Sequence, residues 1–284
     1  MSGRDVWAIV SDLHAGSTVG LCPPSGVQLD DGGWYHPSEA QKELWGCWEE
    51  YWGAVKNALR PGDRLFVAIN GDWVDGDHHG TAQIVSRNMA ATQHGIALAV
   101  MQPAFDLNPT RFVVIRGTEA HVGGSGAHEE ALAKALPIPA IPNNKTGTCS
   151  HWHWQAVSEG VLMDFAHHGA VGKLPHTRSN PAKTLAVKIM VAAAKHRTRM
   201  PDVVYRSHAH QAADTFTEFP VRVIQTRAWQ LATSYVERIA AGSLPEIGAI
   251  IQINEGGQFS IHKFDVSWER EEPCQIARFA ALSV

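Results

Sequence analysis

The sequence predicts an α/β fold, with two β-sheets packed face to face and helices outside. Three observations lead there. Short apolar runs of strand length alternate with longer helical stretches through the first half of the chain. Paired, alternating segments are more frequent in the second half. No linker of altered composition separates two independent units, so residues 1–284 read as a single domain.

Residues 5–11 (DVWAIVS) form an apolar run ending in polar residues, the mark of a buried strand. A loop rich in Gly, Pro and Asp follows over roughly 15–37. Ser38, after Pro37, can cap a helix over about 39–59. There Trp45, Trp48 and Trp52 recur at spacings of three and four, an apolar stripe that reads as core, with a stacking platform as the alternative. Pro61-Gly62-Asp63 turns the chain into the strand RLFVAIN (64–70). Residues 82–101 read as a helix, RFVVIRG (111–117) as a third strand and 126–136 as another helix. After a loop over 137–150, segments 151–158 and 160–167 alternate as a hairpin around Ser158-Glu159-Gly160. In that hairpin His151, His153 and Gln155 share one face, and Trp152 and Trp154 the other. A helix over 182–198 and the strand DVVYRSH (202–208) come next. Strands near 213–218 and 221–227 and a hairpin around Asn254-Glu255-Gly256-Gly257 complete the reading.

A content of 44% hydrophobic and 18% charged residues excludes global disorder. No apolar run reaches the ~18–20 residues of a membrane helix. The opening residues MSGRDVWAIV lack the pattern of a signal peptide, so the sequence reads as cytoplasmic. Cys22, Cys47, Cys149 and Cys274 lie far apart without a C-x-x-C pair, which excludes a zinc knuckle and reads as reduced thiols. A net charge of −4 weighs against coating nucleic acid through a global positive field. The 16 histidines among 284 residues are an excess that no terminal run explains. Histidine is the commonest protein ligand for metals, so their placement decides.

Three early strands end in polar turns: Ser11-Asp12-Leu13-His14, then Asn70-Gly71-Asp72-Trp73-Val74-Asp75, then Arg116-Gly117-Thr118-Glu119-Ala120-His121. Two later strands end in Ala166-His167-His168-Gly169 and Ser207-His208-Ala209-His210. Binding groups gather at strand C-termini because the loops there share one edge. In D-x-H and H-x-H on an extended chain, residues i and i+2 point to the same side and reach one ion. Carboxylate and imidazole donors suit manganese, iron, zinc or similar ions.

This ordered set resembles the calcineurin-like metallophosphoesterase family over Asp12–His210, through D-x-H, G-D-x-x-D, a G-N-H-like motif, a histidine, and G-H-x-H. The resemblance implies a four-layer αββα sandwich, two mixed sheets flanked by helices, with a dinuclear metal site at the strand C-terminal ends. It implies hydrolysis of phosphate esters, mono- or diesters, with manganese first among the two divalent ions and iron, zinc or nickel as alternatives. Asp12, His14 and His210 would then hold the first ion and Asp72 would bridge both. The second would be held by His208 and one of His167 or His168, of which His167 is preferred and its neighbour turned away. Asp75 would orient its neighbours, and His121 would meet the leaving group. The third motif departs from the pattern, reading G-T-E-A-H. Glu119 is the preferred substitute for the missing asparagine ligand, with Thr118 second. That variant also resembles phosphoesterase-like proteins of phages and prophages.

Arg116 and Arg206 lie next to motifs, where they would grip phosphate or pair with carboxylates. Lys173, His176 and Arg178 follow His168-Gly169 and are candidates for substrate binding, the arginine by a bidentate fork. Asp75, Asp77, His78 and His79 read as an exposed rim rather than a third metal site. A nuclease acting on DNA or RNA is the alternative within the same chemistry, stacking bases on Trp34, Tyr35, Trp45, Trp48 and Trp52 if these are exposed. A non-catalytic metal-binding scaffold is the alternative of another class. No partner beyond the phosphate-ester substrate, and no oligomeric state, is legible.

Overall fold

Every residue of β1 (Asp5–Val10) is buried, and its side chains divide between two apolar clusters. Val6, Ala8 and Val10 join one cluster, Trp7 and Ile9 the other. A strand covered on both faces belongs in the middle of a layered stack. The structure is a computed structural model, and it describes residues 3–78, 80–239 and 244–267.

Beyond β1 a two-residue ladder, β2 (Val27–Gln28) with β3 (Trp34–Tyr35), precedes α1 (Glu39–Ala58). Ser38 caps α1 as expected. Its hydroxyl accepts the Gln41 N–H while the Gln41 side chain accepts the Ser38 N–H, both at 3.2 Å. Trp45, Trp48 and Trp52 are buried, so the stripe is core and not a stacking platform. Next come β4 (Arg64–Asn70), α2 (His94–Val100), α3 (Gln102–Phe105), β5 (Arg111–Ile115), α4 (Glu119–Val122) and α5 (Ala127–Ala135). The second half contains β6 (His153–Ser158), β7 (Val161–His168), α6 (Asn180–His196), β8 (Val203–Ser207), β9 (Ala213–Asp214) and β10 (Arg222–Gln225). Then follow α7 (Ser234–Ile239), β11 (Ile247–Glu255) and β12 (Gln258–Val266).

The strands make two five-stranded mixed sheets, ordered β12-β11-β1-β4-β5 and β6-β7-β8-β10-β9. In the first, β1, β4 and β5 are parallel; in the second, β7, β8 and β10 are parallel. One core lies between the sheets, where Trp7, Ile9, Val113 and Ile115 meet Met163, Phe165, Tyr205 and Ile224. The outer face of the first sheet packs on α1, α2 and α5, and that of the second on α6 through Ala182 and Ala186. The resulting order is helices, sheet, sheet, helix: the two-sheet sandwich that the sequence predicts.

Two expectations need correction. The helix expected over 82–101 starts late, with a π turn over Met89–Gln93 leading into α2. The preceding segment is drawn into pairing instead: Ile84 bridges Ser17, and Val85 N–H donates to Gly16 O at 2.7 Å. The strand expected over 213–218 stops at Asp214, because Phe216 takes a left-handed φ of 48° and Glu218 N–H closes a turn on Thr215 O at 3.0 Å. Cys274 and His79 lie outside the described residues.

Candidate metal centre

The C-terminal ends of β1, β4, β7 and β8 deliver their polar turns to one place. Four groups of three side chains have potential ligand atoms mutually within 4.8 Å: Asp12-His14-His210, Asp12-Asp72-His167, His167-His168-His208 and His14-Asp75-His121. The first three form a chain, because Asp12 belongs to two of them and His167 to two. Five of these side chains sit on left-handed backbone: φ is 53° at Asp12, 45° at His14, 50° at Asp72, 76° at His208 and 53° at His210. Non-glycine residues pay roughly 1–2 kcal/mol for that conformation. Such strain gathers at functional sites, where the surrounding structure holds it in place.

The turns are bound to one another. Asp12 N–H donates to Gly71 O at 2.9 Å and His14 N–H to Asp72 O at 3.1 Å, tying the first turn to the second. Thr118 N–H donates to Asp72 Oδ1 at 2.7 Å, tying the second to the third. Gly117 is required at that contact, since a Cβ there would run into the Asp72 carboxylate and backbone nitrogen. Gly71 likewise leaves room for the His167 ring.

Hydrogen bonds set the tautomers. His14 Nδ1 donates to Asp75 Oδ1 at 3.1 Å and His167 Nδ1 to Asn70 O at 2.8 Å, which turns each Nε2 toward the centre. His14 Nε2 faces His210 Nε2 at 3.1 Å, and His167 Nε2 faces Asp72 Oδ2 at 3.0 Å. Asp12 Oδ1 is buried without a hydrogen-bond partner, 3.3 Å from His210 Nε2. A buried, orphaned carboxylate oxygen beside imidazole nitrogens fits a cation, and this donor set suits a divalent transition ion.

The charges respond. Burial opposes ionisation of Asp72, but His167 outweighs it and holds the carboxyl well below the usual range. Burial likewise disfavours charge on His167, yet Asp72 pushes it up to about 10. Burial and the nearby His14 push His121 down to about 4. Its Nδ1 donates to Asp75 O at 2.6 Å. Beside His121 opens a hollow of about 430 Å³, lined in part by Asp77, Met89, Glu119 and His128.

Three placements differ from expectation. Glu119 opens α4, is exposed, and belongs to none of the four groups. Thr118, one residue earlier, has its hydroxyl 3.3 Å from Asp72 Oδ2 and 3.0 Å from His208 Nδ1. Strand alternation would turn one of His167 and His168 away, but a bulge between Phe165 and His168 breaks the alternation and brings both into one group. Arg178 is drawn from the substrate role into an ion pair, while Arg116 and Arg206 take the structural alternative to phosphate binding. Arg116 Nε donates to Ser150 Oγ at 2.8 Å beneath Trp152, Arg178 pairs with Glu246, and Arg206 pairs with Asp164 at 2.8 Å. Lys173 and His176 are exposed. The rim expected at 75–79 does not include Asp75, which is buried against His14 and His121, because the turn after β4 folds inward; Asp77 lies 3.7 Å from Arg87, and His78 lies 3.7 Å from Asp75.

Sequence reasoning missed the supports. Gln230 Nε2 donates to Asp75 Oδ1 at 3.1 Å, and Asn70 Nδ2 donates to Ser207 Oγ at 2.6 Å. Glu129 is fully buried; burial and the charge of Asp72 push its carboxyl up to about 8. No local motif marks these residues, which arrive through tertiary packing.

No family model and no curated protein matches the chain. Among solved structures it is similar to the NAD nucleotidase NadN of Haemophilus influenzae, at 13% identity and TM-score 0.38. That likeness covers 92% of this chain and 55% of the other, so the chain spans about half the length of that protein. It is similar to a Thermotoga maritima protein at 14% identity and TM-score 0.36, covering 92% of this chain and 99% of that one. Vps29 of Entamoeba histolytica complexed with zinc is similar at 8% identity and TM-score 0.36, over 92% and 98% of the two chains.

Proposed function

We propose that the chain is a metal-dependent hydrolase of phosphate esters that works with two divalent cations, manganese first among them. The observation that carries this reading is the linked set of ligand groups. Asp12-His14-His210 and His167-His168-His208 are joined through Asp12-Asp72-His167. In this reading the two outer groups would hold one cation each, Asp72 would serve both, and Thr118 would replace Glu119 beside the second. When bound, the cations supply Lewis acidity, making water acidic enough to attack at neutral pH and neutralising charge on the phosphoryl oxygens.

The protein's own groups do the rest. Asp75 fixes the His14 tautomer through its carboxylate and orients His121 through its carbonyl. With Nδ1 committed to Asp75, His121 works at Nε2. A phosphate arriving there favours the charged imidazole, so His121 takes up a proton with the substrate and delivers it to the departing oxygen. The hollow beside His121 gives the leaving group room. Lys173, exposed on the loop after β7 and without an ion pair among the described residues, would be the group that meets a phosphate. Burial of Trp45, Trp48 and Trp52 takes these three out of any base-stacking surface, while Trp34 stays exposed.

The test is a panel of phosphomonoesters and diesters assayed with Mn²⁺, Zn²⁺, Fe²⁺ and Ni²⁺, beside Asp72→Ala. Turnover that needs metal and vanishes in Asp72→Ala is expected. A folded wild type that binds these ions and hydrolyses no ester would establish the scaffold instead.

A further inference from the structure

Glu129 takes no part in the hydrolysis proposed above, yet it is a carboxylate with 0% exposure in the first turn of α5. Its oxygens accept two backbone N–H groups, that of Trp73 at 3.2 Å and that of Gly117 at 2.6 Å. Trp73 follows Asp72, and Gly117 precedes Thr118. One side chain therefore joins the turn after β4 to the turn after β5, on either side of the contact between Thr118 N–H and Asp72 Oδ1.

Asp12, Asp72, Asp75 and Glu129 are four buried carboxyl groups within this cluster of turns. Glu129 accepts from the backbone beside Asp72 and beside Thr118, so it fixes where those two turns stand relative to each other.

We propose that Glu129 is a positioning residue for Asp72, stapling the turn after β4 to the turn after β5 so that Asp72 stands where a pair of divalent cations would need it. The inference rests on the metal-centre reading above.

The experiment is Mn²⁺ titration by calorimetry and by electron paramagnetic resonance, comparing wild type, Glu129→Gln and Glu130→Gln. Glutamine keeps the volume and turns an N–H₂ toward one of the two N–H donors. Glu129→Gln is expected to lose about 10–100-fold in Mn²⁺ affinity. It should hold one ion where wild type holds two, with loss of the spin-coupled manganese-pair signal. Glu130, the next residue on α5, accepts the N–H groups of Cys149 and Ser150 at 3.0 Å, on the loop before β6. Its glutamine variant removes a comparable support and should lower thermal stability while leaving Mn²⁺ binding unchanged.

A folded Glu129→Gln that binds two ions with wild-type affinity overturns the proposal. If Glu129→Gln does not fold, amide exchange in wild type decides: the Trp73 and Gly117 N–H groups must exchange more slowly when Mn²⁺ is added, and unchanged exchange overturns it. A wild type that binds no Mn²⁺ overturns the metal reading and this inference together, whereas a wild type that binds two ions beside an indifferent variant overturns this inference alone.

Discussion

His14 and His210 are 196 residues apart in the chain, and their Nε2 atoms approach to 3.1 Å. With His14 Nδ1 committed to Asp75, and Asp12 Oδ1 lacking a hydrogen-bond partner, this contact gathers two imidazole nitrogens and a carboxylate oxygen in one place. A cation bound there would meet all three. Adding Mn²⁺ to metal-stripped protein should therefore raise the melting temperature. At 100 times the dissociation constant the gain is about 2.7 kcal/mol. His210→Ala should keep less than half of it. Differential scanning calorimetry with and without chelator reads this out, and a melting temperature indifferent to Mn²⁺ counts against the centre.

Thr118 and Glu119 divide cleanly in space, so their variants should divide in effect. Thr118→Ala removes the hydroxyl between Asp72 and His208 and should weaken Mn²⁺ binding by about 10-fold or more. Glu119→Ala alters an exposed side chain and should leave affinity within twofold. Equal losses in both variants would restore Glu119 as a ligand.

Metal uptake should release protons. Asp72 holds His167 charged up to about pH 10 in the metal-free protein, and a ligand nitrogen must shed its proton. The apparent Mn²⁺ affinity should therefore climb as pH rises from 6 to 9. Calorimetry in buffers of different ionisation enthalpy would count the protons. The stability of the metal-free fold runs the other way. A raised histidine contributes fully below its unfolded value of about 6.5, and that contribution is lost as pH climbs through about 10. Metal-free protein that gains stability from pH 6.5 to 10 would contradict the His167–Asp72 pair.

Left-handed backbone at the ligand positions implies a trade between stability and site. At His210, with φ 53°, glycine meets no steric penalty and alanine does. In metal-free protein His210→Gly should exceed His210→Ala in stability by about 1 kcal/mol, even though flexible glycine loses more entropy on folding. Chemical denaturation of the two variants measures the difference. An alanine variant as stable as the glycine variant would show that the strain is absent.

The sequence carried what is local. β4 was legible to the residue, and the α1 cap followed from Ser38. The Asp and His turns could be read because each lies directly after an apolar run. Two kinds of feature were hidden. Segment 82–88 has helical composition but is claimed by the loop near Ser17, a contact that no periodicity reveals. Glu119 was preferred over Thr118 on charge, and composition does not show what register does here: the N–H of Thr118 is anchored on Asp72, and the chain then turns into α4 with Glu119 exposed. The bulge in β7 defeated strict alternation in the same way. Glu129 and Gln230 lie 56 and 155 residues from the partners Trp73 and Asp75, and packing alone brings them in.

The strand that carries Asp12 at its end is bordered on one side by β11, so the first strand of the sheet is completed by nearly the last. During synthesis, a row of backbone donors and acceptors along β1 stays open until Ile247–Glu255 has left the ribosome, an adhesive edge of the kind that invites intermolecular pairing. Fragments that stop short of that hairpin should clump rather than dissolve, and only the returning C-terminal hairpin seals the rim.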